Sequence, residues 1–274
     1  MGITSTSELQ QQALRSLDLL PPFSPILNRL LASLADEDVS FAHLAALIEK
    51  DAVLAGNVLR IVNSAAYGCR GRINSVAHAI AIMGITKLRN TALACSVVRL
   101  WKSVPSMARW SMVEFNLHCI ATAILCDQLA VRADVTYPEG AFVAGLFHDL
   151  GKLMIAVGLP EESAAIHSSG DEENDEERER SILGVTHADL SALALDRWNL
   201  PRPVRVAVAF HHDPAAAPPD ARGDATYGLA DLVACADAVV HGHPEALNRL
   251  GLMDQTECIM LDFEREYESV KSVF

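Results

Sequence analysis

Ile48-Glu49-Lys50-Asp51-Ala52-Val53-Leu54-Ala55-Gly56-Asn57-Val58-Leu59-Arg60-Ile61-Val62-Asn63-Ser64-Ala65-Ala66-Tyr67-Gly68 holds the pattern on which the fold turns. Asp51 stands where a side-chain acceptor caps the first open backbone N–H groups of a helix. Val53, Leu54, Val58, Leu59 and Val62 then recur at the spacing that builds one apolar face. The helix ends at Asn63-Ser64, whose amide and hydroxyl can satisfy open backbone groups, and a loop to Arg72 follows with glycines at 68 and 71.

The same grammar extends outward. Upstream, an amphipathic stretch from Ser7 to Leu19 stops at Leu20-Pro21-Pro22, Pro25 suits the first position of the next helix, and Ser40 caps another that runs to Ile48. Downstream, Ser75–Met83 and Thr86–Trp101 form a helix pair split at Gly84. From Trp110 the segments lengthen: about Ser111–Val131, Pro138–Val157, a third ending at Leu183, His187–Trp198, Pro203–His211 and Thr226–His241. Ala and Leu dominate and alternating β-branched runs are scarce, so the expected class is all-α. The connection Lys102–Met107 is short, which predicts two packed lobes: an N-terminal bundle over 1–105 and a second lobe over 106–274.

Composition bounds the function. Half of the 274 residues are hydrophobic, enough for a sizeable core, and the net charge of −13 offers no uniform field for a nucleic-acid backbone. Duplex nucleic acid is therefore not an expected partner. The most apolar long window, Ala141–Leu159, is interrupted by His148, Asp149 and Lys152, and the N-terminus lacks a basic segment and an apolar signal core, so no membrane partner and a cytoplasmic location are expected. Gly2 and Thr6 fit the loose N-myristoylation pattern without a second membrane signal nearby. The six cysteines, Cys69, Cys95, Cys119, Cys126, Cys235 and Cys258, form no C-x-x-C pair and read as reduced core residues. The mostly acidic run Asp171–Arg180 reads as a solvated loop or an exposed first helical turn, with a partner-binding role as the alternative.

Chemistry gathers in the second half, where all the histidines but His43 and His78 lie. His148-Asp149-Leu150-Gly151-Lys152 sits inside an otherwise apolar helix, and an ionisable pair there is costly to bury unless something satisfies it. A cation does so, since an imidazole nitrogen and a carboxylate oxygen from neighbouring residues suit Fe, Mn or Zn. His118 precedes this pair, and His187, His211-His212 and Asp231, within Leu229-Ala230-Asp231-Leu232, follow it. Each alone has a bland reading, as a hydrogen-bonded core or cap histidine or a helix-surface acid. His43, His78, His167, His241 and His243 read as surface or packing residues.

That order of residues resembles the HD superfamily of metal-dependent phosphohydrolases. The resemblance to its HD and HD-GYP branches implies one metal on His118, His148, Asp149 and Asp231, with His187, His211 and His212 available for a second. Asp237 competes with Asp231, but the apolar residues around Asp231 and the family's Leu-Ala-Asp pattern favour the earlier acid. Glu114, four residues before His118 and on the same helical face, is a further candidate where some HD-GYP sites place an acid. The N-terminal half resembles one branch, the HDOD family: Leu20-Pro21-Pro22, the quoted Ile48–Gly68 stretch, Arg72-Ile73-Asn74-Ser75-Val76, Ala79-Ile80, Met83-Gly84, Gly184-Val185-Thr186-His187-Ala188-Asp189 and Trp198-Asn199-Leu200-Pro201 carry it over about residues 17–245.

Many HDOD proteins are regulatory modules that have lost some HD ligands, whereas this chain keeps them. After His211-His212 comes Asp213-Pro214-Ala215-Ala216-Ala217 with no Gly-Tyr-Pro motif, which argues against cyclic-di-GMP hydrolysis. The leading expectation is an HDOD signalling protein with protein partners that holds one or two divalent ions, Fe, Mn, Zn, Ni or Mg. The alternatives are an active phosphohydrolase on a nucleotide, cyclic dinucleotide or phosphomonoester, and a metal-free helical interaction scaffold. For hydrolysis, Asp149 and Lys152 are the expected catalytic residues, the metal activating water and Lys152 offering charge to the phosphate.

Overall fold

The computed structural model describes residues 6–34, 40–68, 71–104, 110–167 and 175–271. Gly2, Cys69, residues 105–107 of the expected connection and residues 171–174 of the acidic run lie outside the described residues. The first half contributes α1 (Thr6–Arg15), α2 (Pro25–Ala32), α3 (Phe41–Glu49), α4 (Ala52–Val62), α5 (Val76–Met83) and α6 (Ile85–Trp101). The second contributes α7 (Met112–Ala130), α8 (Ala141–Phe147), α9 (Leu150–Gly158), α10 (Pro160–Ile166) and α11 (Asp175–Leu183), then α12 (His187–Arg197), α13 (Arg202–Ala209), α14 (Leu229–Val240) and α15 (Thr256–Lys271). Among the described residues the only β feature is one isolated bridge, Val135 to Tyr227, so the all-α class stands.

Helix ends follow from capping chemistry. Ser24, Ser40, Ser75 and Ser111 each accept the backbone N–H of the third residue after them, and Asp51 accepts those of Val53 and Leu54. After α4, Asn63 Nδ2 donates to the Leu59 and Ile73 carbonyls at 2.6 and 2.8 Å, while Asn63 Oδ1 accepts the Ile73 N–H at 2.8 Å. One amide therefore pins the whole loop. The Ser64 hydroxyl, expected to share that role, is buried without a hydrogen-bond partner.

Helices α2 to α6 pack on one another, and α6 reaches across to α7 and α8. α1 and the 3-10 turn Ser16–Leu19 instead lie on α9 and α11, so the first residues of the chain sit against the second half. Phe23, just before α2, stacks its ring 4.1 Å from Trp198 and 6.1 Å from Phe147, and one continuous apolar core runs from Ala13 to Val270. The stretch Pro138–Gly158 is apolar and long enough to cross a membrane, yet it is 89% buried as the centre of the protein. It is also not one helix: the chain leaves helical geometry at Asp149, φ −98° and ψ 11°, between α8 and α9.

α15 buries Ile259 and Val270, rests Phe263 and Tyr267 on the core, and is also held by polar pairs. Glu266 Oε2 accepts from Lys87 Nζ at 2.8 Å and Gln128 Nε2 at 2.9 Å, and Arg132 meets Asp262 at 2.7 Å. Beneath them Asp127 accepts from Asn90 Nδ2 at 2.9 Å, and burial, followed by the charge of Glu266, pushes its carboxyl up to about 6 against the offsetting Lys87 and Arg89.

Two outcomes follow. The whole chain is expected to melt in one transition, and a chain beginning at Trp110 to be insoluble or far less stable, because α1 and Phe23 complete the second half's core. A folded, monomeric truncated chain with the parent's melting temperature would contradict this. Because Asp127 titrates higher folded than unfolded, its contribution is fully present below its unfolded value and lost as pH rises through about 6. Asp127→Asn should thus gain on the parent by roughly 3 kcal/mol between about pH 4 and pH 7 in urea titrations. A difference independent of pH would contradict the assignment.

Candidate metal centre

Six helices or their ends converge on one buried point. His118 comes from the middle of α7; His148 and Asp149 from the break between α8 and α9; His187 from the first residue of α12, behind its cap Thr186. His211 and His212 follow the end of α13, and Asp237 and His241 come from the last turns of α14 and its cap. Two glycines make the approach possible. A Cβ on Gly145 would meet the Ala123 backbone at 2.8 Å, so the close approach of α7 and α8 at this point requires glycine. A Cβ on Gly151 would lie 2.0 Å from the His187 carbonyl oxygen, and Gly151 N donates to Ser191 Oγ at 2.7 Å, locking α9 onto α12.

The ring tautomers are set from behind. His148 Nδ1 lies 2.8 Å from the Gly145 carbonyl oxygen, His211 Nδ1 2.7 Å from that of Val208, and His187 Nδ1 2.8 Å from Glu179 Oε2. All three partners are acceptors, so each Nδ1 carries the proton and each Nε2 turns a lone pair inward. His148 and His187 each turn that lone pair toward another imidazole: His118 and His148 Nε2 are 3.1 Å apart, His187 and His212 Nε2 2.9 Å apart. Asp149 divides its carboxylate between the two groups. Oδ2 lies 3.4 Å from both His118 and His148 Nε2, whereas Oδ1 lies 3.3 Å from His187 and 3.9 Å from His211 Nε2. Asp237 Oδ1 closes the first group at 3.2 Å from His118 and 3.4 Å from His148.

This arrangement fits a cation. Asp149 Oδ1, His211 Nε2 and Asp237 Oδ1 are buried and receive no hydrogen bond, although orphaned acceptors of this kind normally cost several kilocalories. Ligand atoms of His118, His148 and Asp149 lie within 4.8 Å of one another, as do those of His187, His211 and His212, and those of His118, Asp237 and His241. Nitrogen and carboxylate donors in such sets suit Zn, Fe, Mn or Ni.

Electrostatics separates the two groups. Burial alone would raise the Asp149 carboxyl, but His148, Lys152, His118 and His187 hold it well below the usual range; Asp237 is likewise held low against burial by His118, His148 and His241. Burial opposes charge on His118, yet the carboxylates of Asp149 and Asp237 carry it up to about 9. Burial and the neighbouring imidazoles drive His211 far down and His212 to about 4, so both are neutral, ready ligands at neutral pH. Lys152 Nζ sits 2.9 Å from Asp149 Oδ2, beside the first group.

Of the residues singled out in the sequence, His118, His148, Asp149, His187, His211, His212 and Lys152 come together here. Asp231 does not. It is the third residue of α14, where Oδ2 accepts the Gly228 N–H at 2.8 Å and pairs with Arg222 at 3.2 Å. Asp237, six residues on, points to a different side of the same helix about 9 Å further along, and it occupies the place expected of Asp231. His241, one turn beyond Asp237 and exposed as a surface residue, brings its Nδ1 to 3.2 Å from Asp237 Oδ1. The i, i+4 spacing of Asp237 and His241 was the available signal. Glu114 is exposed on the first turn of α7, outside the convergent groups. The acidic run also departs from a solvated reading, since Asp175 and Glu179 are 3% and 0% exposed.

An all-helical protein whose buried core converges on a histidine–aspartate centre is the class this geometry defines. The HDOD domain model matches residues 20–214, and the chain belongs to the HDOD family. An uncharacterized protein of Treponema pallidum (strain Nichols) is 26% identical over 220 residues, 78% of this chain but 42% of that protein, so the chain spans less than half the length of that relative. Among solved structures, a proposed phosphohydrolase of Shewanella amazonensis SB2B superposes with a TM-score of 0.77 at 24% identity, over 97% of this chain and 99% of the other. An HDOD domain protein of unknown function from Geobacter sulfurreducens gives 0.76 at 23% identity over 98% and 99%. At these identities the likeness is one of fold.

The two acids of α14 separate by experiment. Asp237→Asn should weaken metal uptake at the His118 group by about 10-fold or more, whereas Asp231→Asn should leave uptake unchanged and cost only the roughly 1 kcal/mol of a helix cap. Elemental analysis and thermal melts of the two variants read this; loss of metal with Asp231→Asn alone would reverse the assignment.

Proposed function

We propose that this chain is a regulatory HDOD protein that holds two divalent ions across the Asp149 carboxylate and acts through protein contacts. The convergence of inward-facing Nε2 lone pairs on an otherwise unpartnered Asp149 oxygen carries the metal reading. Membership of the HDOD family supports the regulatory one. The bundle α2–α6, with its Asn63-pinned loop, is the proposed partner face, because it contributes none of the convergent ligands and is joined to them through α6. A cytoplasmic location is supported by free Cys95, Cys119, Cys126 and Cys235 in the core and free Cys258 on the surface.

A second reading, metal-dependent phosphohydrolase, is favoured by one specific contact. Bound divalent ions would supply Lewis-acid polarisation of a phosphoryl oxygen and activation of water. Lys152, 2.9 Å from Asp149 Oδ2 and only slightly exposed, would place a positive charge beside such a phosphate, and Asp149 would orient both ligand groups. His118 and Asp237 are only partly buried and His212 is exposed, which leaves the centre one open side for a substrate.

Elemental analysis of protein purified without chelator is expected to find Fe, Mn, Zn, Ni or Mg in near-stoichiometric amount, and metal added to stripped protein to raise its melting temperature. Absence of both effects would remove the metal reading. With Mn²⁺ or Fe²⁺ present, a panel of nucleotides, cyclic dinucleotides and phosphomonoesters decides between the two functions. Turnover abolished by Asp149→Ala supports hydrolysis, and no turnover on a metal-loaded protein leaves the regulatory reading ahead.

A further inference from the structure

Glu179 lies in the second turn of α11, fully buried, yet its carboxylate is in none of the convergent ligand groups. Its Oε2 accepts twice from a single residue: the His187 backbone N–H at 2.7 Å and the ring Nδ1–H at 2.8 Å. This double hold fixes both the first residue of α12 and the rotation of its ring. The imidazole is left one orientation, with Nε2 3.3 Å from Asp149 Oδ1 and 2.9 Å from His212 Nε2.

The other two oriented rings are held differently. His148 and His211 each use the carbonyl three residues earlier in their own chain segment, a neutral acceptor that is present whenever the local turn forms. His187 alone of the three leans on a carboxylate from another helix. A charged acceptor behind a ligating imidazole strengthens its lone pair as well as fixing the tautomer. α11 itself packs on α1 and α10, so the seat of this acceptor depends on helices that carry no ligand.

We infer that Glu179 is a positioning residue that sets metal occupancy at His187, His211 and His212, and so makes that position separable from the one at His118, His148 and Asp237. The inference rests on the metal reading proposed above. It assigns Glu179 no contact with metal or substrate.

The test is a calorimetric titration of chelator-stripped, full-length protein with Mn²⁺, backed by elemental analysis, on the parent and Glu179→Gln. Glutamine keeps the size and one acceptor oxygen but removes the charge. The parent should take up two ions per chain, and Glu179→Gln should keep one affinity and lose about 10–100-fold in the other. Asp237→Asn should show the complementary loss. Unchanged affinities at both positions in Glu179→Gln, or an equal loss at both, overturn the inference while leaving the metal reading intact; a parent that binds no Mn²⁺ overturns both. If Glu179→Gln does not fold, the metal-loaded parent labelled with ¹⁵N-histidine decides: a slowly exchanging ring N–H at His187 Nδ1 is expected, and its absence overturns the assignment.

Discussion

The Asp149 carboxylate is shared, one oxygen toward His118 and His148 and the other toward His187 and His211, in a place with almost no access to water. Lone pairs crowded together in a low-dielectric interior repel unless positive charge lies among them, so this one residue dictates much of what surrounds it. The helix breaks at Asp149 so that neighbouring side chains can leave it together. Gly145 and Gly151 are small because α7 and the backbone of His187 must come within contact distance. Lys152 stands one turn on and offsets part of the carboxylate charge.

The two halves of the centre are electrostatically unlike. At the first, two carboxylates hold a histidine that keeps its proton up to about pH 9, and at the second the clustered rings of His211 and His212 are neutral. A cation entering the first displaces a proton, while one entering the second meets free lone pairs and is limited mainly by ring geometry. Under the metal reading proposed above, asymmetry of this kind would give one protein two positions of different affinity.

The first half serves that centre at a distance. Its apolar faces meet α7 and α8 through α6, and Phe23 packs against Trp198 and against Phe147, the residue immediately before His148. The Asn63 amide, making three hydrogen bonds to two backbone segments, accounts for the family's Asn-Ser block as a structural lock. α15 lies beyond the residues matched by the family model and is attached by charge pairs over the buried Asp127. Its hold adds these charge pairs to the apolar packing of Ile259, Phe263 and Val270.

Local rules were sufficient for the helices and for most of the side chains that converge in the buried cluster. Capping serines, Asp51, Pro25 and the spacing of apolar residues act over a few residues, and each helix they marked is present within a residue or three. His148-Asp149 was legible because an ionisable pair inside an apolar window is locally anomalous. Asp237 over Asp231 was not legible, since both lie in the same apolar helix and only the packing of α14 on α7 decides which side faces His118. Glu179 and Asp175 looked like part of a solvated acidic run because burial is a property of what packs on α11, not of its own charges. Sequence alone determined the all-helical class, the family and the residue types able to bind a cation. Tertiary packing decided which acid faces the centre, which oxygen meets which ring and what stands behind each imidazole, because those depend on distances between helices far apart along the chain.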